Sequence, residues 1–221
     1  MPNLLQVQDF KEAISEKYHK LDSFYAVADG LKLLLKHSGD CVIQNMFYNG
    51  WTHDHYVGNV FVFAPNGTII ACVLNAPGSM HDSVIADLGK LYNKFGAQYA
   101  EHGGLFELDS AFCKRYHPFL LKSAQNETNV TDPDDFIRLS QANSVRQASE
   151  LGMRAFQGMF SRMEDRFMCE ENGERRIMML CTAYLFNLKT CKVFINQILS
   201  KYLLHISADV NYYLQHTFNL Y

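Results

Sequence analysis

Apolar positions recur at near-helical spacing over residues 5–20, where Leu5, Phe10, Ile14 and Tyr18 stand behind polar neighbours, so this stretch is predicted to be helical. The pattern then changes. Phe24 to Ala28 is an unbroken apolar run that stops at Asp29-Gly30, which reads as a short strand closed by a turn. Residues 31–36 and 41–48 read as further strands. Residues 56–63 and 68–74 read as the arms of a hairpin, since Pro65-Asn66-Gly67 between them is a strong turn signal. Pro77-Gly78-Ser79 ends the second arm, and residues 82–95 place Val84, Ile85, Leu88, Leu91 and Tyr92 on one helical face. Another brief strand, 105–108, again runs into an aspartate. Residues 122–142 are polar and read as an exposed loop. Helical periodicity returns over 144–167 and over 175–206, the latter as one long helix or a helix pair.

This order predicts an α/β chain: a mixed sheet flanked by helices, with a helical C-terminal extension. The expected divisions are an N-terminal helical segment over 1–23, a main domain over 24–167, and helices over 168–221 packed on the same domain. No run of 18 residues is free of charge and the N-terminus lacks an apolar secretory core, so a soluble, intracellular chain without membrane contact is expected.

Composition narrows the function. In 221 residues, 20 Lys+Arg stand against 23 Asp+Glu, a formal charge of −3, whereas a protein that grips nucleic acid through phosphate contacts alone is normally basic. An enzyme that gathers acids around metal ions and leaves targeting to another chain is compatible with this balance. The six cysteines contain no CxxC pair and read as small core residues in a reducing compartment. Sequons at Asn126 and Asn129 read as polar loop residues. Neither a Gly-x-Ser-x-Gly elbow, a phosphate-cradling Gly-x-x-x-x-Gly-Lys nor a dinucleotide fingerprint is present.

Four acids fall where such a sheet would deliver them to one edge. Asp29 follows the first strand, Asp109 follows 105–108, Glu150 sits on the later helix, and Asp82 opens the helix after the hairpin. Carboxylates are the ligands that hard cations such as Mg²⁺ or Mn²⁺ prefer, and a cluster of like charges implies bound cations and raised pKa values without them. Each acid also has an ordinary structural reading: Asp29-Gly30 as a turn, Asp82 as a helix-start residue facing the dipole.

The words around these acids carry a resemblance. Ala28-Asp29-Gly30, Phe47-Tyr48-Asn49-Gly50-Trp51, Phe63 to Ile70, Asn75 to Ser83, Leu108-Asp109-Ser110-Ala111-Phe112, and Arg146 to Glu150 with Gly152-Met153-Arg154 and Phe160 together resemble the DDE nuclease domain of PIF/Harbinger transposases over residues 24–167. The resemblance implies an RNase H-like fold and Asp29, Asp109 and Glu150 as the catalytic, metal-binding triad, with Asp82 as a fourth metal ligand. It further implies a divalent cation, Mg²⁺ or Mn²⁺, a DNA substrate, nuclear location with a cytoplasmic pool, and a separate Myb-like DNA-binding partner; homo-oligomers are open to it as well. The competing expectation is a domesticated, catalytically silent scaffold for protein or DNA interaction.

His81, Arg146 and Arg154 are candidates for contacts to the nucleic-acid backbone. Arg146, Arg154 and Arg162 recur every eight residues around Glu150, a spacing equally compatible with an ordinary solvated helix face. His53, Asp54 and His55 suggest a transition-metal site, but with no third ligand at a telling distance they read as a turn with exposed histidines. Trp51 and the other aromatics read as core or interface.

Overall fold

The computed structural model of the protein describes residues 1–109, 111–112, 117–122, 132–193 and 196–202. Helix α1, Leu4–Ser15, opens with a reciprocal cap: the Asn3 side chain accepts from Gln6 N at 3.0 Å, and the Gln6 side chain accepts from Asn3 N at 3.1 Å. It stops short of residue 20, although Tyr18 beyond it is buried. Strand β1, Phe24–Leu34, then runs straight through Asp29-Gly30, where a turn was expected. The reason is its neighbour. Strand β3 pairs with it from Val27↔Phe63 to Leu34↔Tyr56, with Asp29↔Phe61 and Gly30↔Val60 in register, so a turn would forfeit half a ladder.

Residues 41–48, expected as a strand, form helix α2, Cys41–Phe47, and a two-residue strand β2, Tyr48–Asn49. The Asp40 carboxylate accepts from Val42 N at 2.7 Å and Ile43 N at 3.2 Å, and this cap outweighs the β propensity of the apolar residues. The hairpin forms as expected from β3, Asp54–Phe63, and β4, Ile69–Pro77. The helix expected over 82–95 is two: α3, Asp82–Leu88, and α4, Leu91–His102, broken at Lys90, whose φ is 55°. Strand β5, Leu105–Leu108, is where expected; β6, Leu120–Lys122, for which no element was expected, ends where the predicted loop begins.

The polar stretch from 133 to 142 is helical too. Helix α5, Pro133–Met159, starts on an Asp132 side chain that accepts from Asp134 N at 2.9 Å, with Pro133 in its first turn and Asp134 and Asp135 facing the dipole. It ends before residue 167, in a 3-10 turn at Ser161–Met163. A helix pair completes the described chain, α6, Asn172–Val193, and α7, Gln197–Tyr202. The two sequons lie outside the described residues.

The strands order as β4-β3-β1-β5-β6, with β2 pairing against the start of β3. β5 and β6 run parallel to β1, while β3 and β4 alternate antiparallel, which is the mixed sheet of an RNase H-like fold. Val27, Leu31, Leu33, Phe61 and Phe63 pack on one side against Val145, Ala148 and Phe156 of α5 and Phe186 of α6. On the other side Tyr25, Ala26, Ala28, Val60 and Val62 meet Val7 and Phe10 of α1, Ile85 of α3 and Phe95 of α4. Coverage on both sides is why the central strands read as continuous apolar runs. Cys169 is buried and Cys72 half-buried, but Cys41, Cys181 and Cys191 are exposed, so the reading of cysteines as core residues fails for these three. No helix among the described residues is long and apolar enough to cross a membrane.

Candidate metal centre

The parallel pairing of β1 with β5 matches Ala28 to Leu108, which makes Asp29 and Asp109 the next residues on neighbouring strands. Alternation along β1 sends Val27 and Leu31 toward α5, and Asp29 with them. There its Oδ2 lies 3.4 Å from the Ser149 hydroxyl, whose single proton goes to Arg146 O at 2.7 Å. Asp29 Oδ1 accepts from Gly30 N at 2.7 Å. Gly30 faces the opposite side of the sheet, where a Cβ on it would meet the Asp82 carboxyl group at 2.3 Å. The bare Gly30 backbone thus leaves room for the Asp82 side chain to lean onto β1, on the face opposite Asp29; a Cβ would push that carboxyl group aside.

Burial, together with the Asp109 and Asp82 charges, pushes Asp29 up to about 6, against the opposing pull of Gly30 N–H and Arg146. Asp82 is raised as well, by burial first and then by Asp109, with Lys32 and His81 acting the other way. Sequence reasoning missed a fifth acid. Glu107 sits on β5 between Phe106 and Leu108, which face the α4 side, so it points toward α5; it is fully buried, and neither carboxylate oxygen has a hydrogen-bond partner among the described residues. Burial holds it well above the carboxylate range, Asp29 and Asp109 add to this, and Arg146 opposes it. A charged residue inside a central strand was the signal that could have found it.

Glu150 stands one residue beyond Ser149 and is held by Arg146 in an ion pair of 2.9 Å, its side chain 43% exposed. Pairs of this i,i+4 kind contribute only about 0.3–0.5 kcal/mol, so the glutamate is not locked in place. Arg146 thus lies inside the acidic group. Arg154 is exposed on α5, and Arg162, off the helix in the 3-10 turn, pairs with Asp165 at 3.7 Å; the three do not share one helix. Asp29 and Asp82 feel the charge of Asp109, and Glu150 is tied to them only through Arg146; among the described residues, no three of the four expected acids bring ligand atoms together at one point. Among the described residues, the group of three whose ligand atoms all lie within 4.8 Å of one another is His37, Asp54 and His55. Buried carboxyl groups with raised proton affinity, one of them without a hydrogen-bond partner among the described residues, fit a divalent cation.

A groove of about 380 Å³ opens beside Asp82, lined by Lys32, Asn49, Trp51, Ser79, His81 and Ala111 among others. Three of the sequence words meet in it. Asn49 Nδ2 donates to Gly78 O at 2.9 Å, binding the second word to the fourth, and the Ser79 hydroxyl donates to Met46 O, just before the second word, at 3.0 Å. Gly78 passes so close that a Cβ would reach Tyr56 O at 2.1 Å. His81 is the exposed N-cap of α3, and Trp51, expected in core or interface, is 91% exposed on the groove's rim.

A family model described as DDE superfamily endonuclease matches residues 28–187, which include Asp29, Asp82, Asp109 and Glu150. No curated protein matches the chain. No solved structure matches it either. With most of the chain covered by that model and an RNase H-like sheet beneath it, the chain belongs to the DDE superfamily endonucleases, a family of transposase-type nucleases.

Proposed function

We propose that this chain is the nuclease core of a Harbinger-type transposase, cleaving DNA phosphodiester bonds at Asp29, Asp109 and Glu150 with Asp82 as a fourth ligand. The observation that carries this reading is the perturbed group itself: at one end of the sheet, burial and then the charge of Asp109, just past β5, raise the proton affinity of Asp29 on β1 and of Asp82 on α3. These carboxylates would hold Mg²⁺ or Mn²⁺, and a pair of such ions activates the attacking oxygen and stabilises the leaving one in an in-line displacement. The protein's own part is positioning. Asp29 is fixed by Gly30 N–H on a strand paired on both edges, while Arg146 keeps Glu150 at hand and offsets the local negative charge. Lys32, His81 and exposed Arg154 would receive the phosphate backbone, and the groove beside Asp82 the strand to be cut.

With a net charge of −3, recognition of target DNA and entry into the nucleus are assigned to a Myb-like partner protein. Titration calorimetry with Mn²⁺ on the wild type and on Asp29→Asn/Asp109→Asn tests the centre: strong binding by the first and none at this site by the second is expected. Equal binding by both sinks it.

One feature favours a second reading. A guanidinium among the carboxylates supplies the positive charge that a cation would bring, as expected of a catalytically silent, transposase-derived scaffold. Nicking of supercoiled plasmid with Mn²⁺ and a DNA-binding partner separates the two, since only the nuclease reading yields open circles that vanish in Asp109→Asn.

A further inference from the structure

His55 occupies the second position of β3 and is 3% exposed, yet neither ring nitrogen has a hydrogen-bond partner among the described residues. A buried imidazole without partners is costly, because its desolvated nitrogens forfeit their hydrogen bonds to water, and it calls for a ligand. The surroundings suggest which kind. His37, just beyond the end of β1, brings its ring to within 4.6 Å of the His55 ring, centroid to centroid, and is itself exposed, so one side of the pair is open to solvent. His55 Nδ1 is 4.0 Å from Asp54 Oδ1, and one donor atom from each of His37, Asp54 and His55 lies within 4.8 Å of the other two.

Asp54 is prepared for this role. Arg166 clasps both of its oxygens, at 2.9 Å and 2.7 Å, and His55 N donates to Oδ1 at 2.8 Å, which leaves a lone pair on Oδ2. A guanidinium beside a ligating carboxylate orients it and keeps it ionised. Burial and the nearby His37 also lower the proton affinity of His55, which keeps its imidazole in the neutral form that binds metals.

We propose that His37, Asp54 and His55 form a second metal site, a three-ligand centre for one divalent transition-metal ion of the zinc class. Two imidazoles and one carboxylate suit zinc and are poor ligands for Mg²⁺, which distinguishes this site from the carboxylate centre. It is also separate in space: Asp29 pairs with Phe61 and Leu34 with Tyr56, five residues along the same ladder, or about 17 Å. Its position suits a clamp. Leu35 N donates to His55 O at 2.9 Å, Arg166 Nη1 donates to Leu35 O at 3.0 Å, and Phe167 forms a bridge with Leu35, so an ion there ties β1, β3 and the segment after α5 together.

The experiment uses the full chain carrying Asp29→Asn/Asp109→Asn, stripped with chelator, so that the carboxylate centre does not compete. Co²⁺ is titrated and its visible d–d absorption followed, then Zn²⁺ is added. One equivalent of Co²⁺ with the bands of a four- or five-coordinate ion is expected, displaced by Zn²⁺, together with a Zn²⁺-dependent rise in melting temperature. In His37→Ala, an exposed substitution that leaves the fold intact, affinity falls at least roughly tenfold, the loss that even an outlying partner of a zinc ligand causes. Absence of the bands, or a His37→Ala variant that binds as the parent does, overturns the proposal.

Discussion

Asp29→Asn is expected to make the metal-free protein more stable at neutral pH. The folded protein holds the Asp29 proton with a pKa of about 6 because the carboxyl group is buried beside Asp109 and Asp82, whereas the unfolded chain releases it near 4. A raised folded value means that the stability contributed by this group is fully present below about pH 4 and is lost as pH rises through about 6. Ionising it in the folded state at pH 7.5 thus costs at most about 3 kcal/mol, at 1.36 kcal/mol for each pH unit between the two values. Asparagine does not ionise, and its Oδ1 still accepts from Gly30 N. At 2–4 °C per kcal/mol for a chain of this size, the variant should melt up to about 6–12 °C higher. Thermal melts of both proteins at pH 7.5 and pH 3.5, with chelator and with Mn²⁺, provide the assay. The difference should vanish at pH 3.5, and Mn²⁺ should reverse the order at pH 7.5, because it stabilises only the protein that binds it. Equal melting temperatures at pH 7.5 with chelator, or an advantage unchanged at pH 3.5, would refute the electrostatic account.

Three further outcomes follow from the same geometry. Gly30→Ala drives a Cβ to within 2.3 Å of Asp82 Oδ2; a loss of about 1–3 kcal/mol in urea unfolding is expected, with weaker Mn²⁺ binding by calorimetry. Glu107→Gln removes a buried acid whose folded pKa is raised, so its stabilising effect should be absent at pH 3.5 and grow as pH rises, read by chemical denaturation. Arg175→Met strips a buried guanidinium of its bonds to Asn75 Oδ1, Asn172 Oδ1 and the Met168 and Cys169 carbonyls; a loss of about 3 kcal/mol is expected, seen as a lower urea midpoint with unchanged slope.

Much of the sheet was legible because its signals are local. The hairpin of β3 and β4 follows from Asn66-Gly67 between two apolar runs, and β5 from a four-residue run before Asp109. The errors arose where one signal has two meanings. Asp29-Gly30 spells a turn by itself, and only the register with β3 shows that the strand continues. Thr131-Asp132-Pro133-Asp134-Asp135 looks like a loop, yet Asp before Pro before two acids is also how a helix starts, as α5 does. At the centre, the acids were found through the words around them. Glu107 was missed for want of such a word, and His37 because its partners are brought to it only by the folding of β1 against β3.

The acidic centre is built on two foundations of unequal stiffness. Asp29 stands on a strand hydrogen-bonded along both edges and packed on both faces, where amide exchange is expected to be among the slowest. Glu150 stands on a helix surface, tethered by one half-exposed ion pair that a rotamer change undoes. On the proposed nuclease reading, adjustment to an incoming ion or scissile strand would fall to side-chain rotation on α5, while the aspartate beneath would stay as the fixed datum against which the glutamate swings.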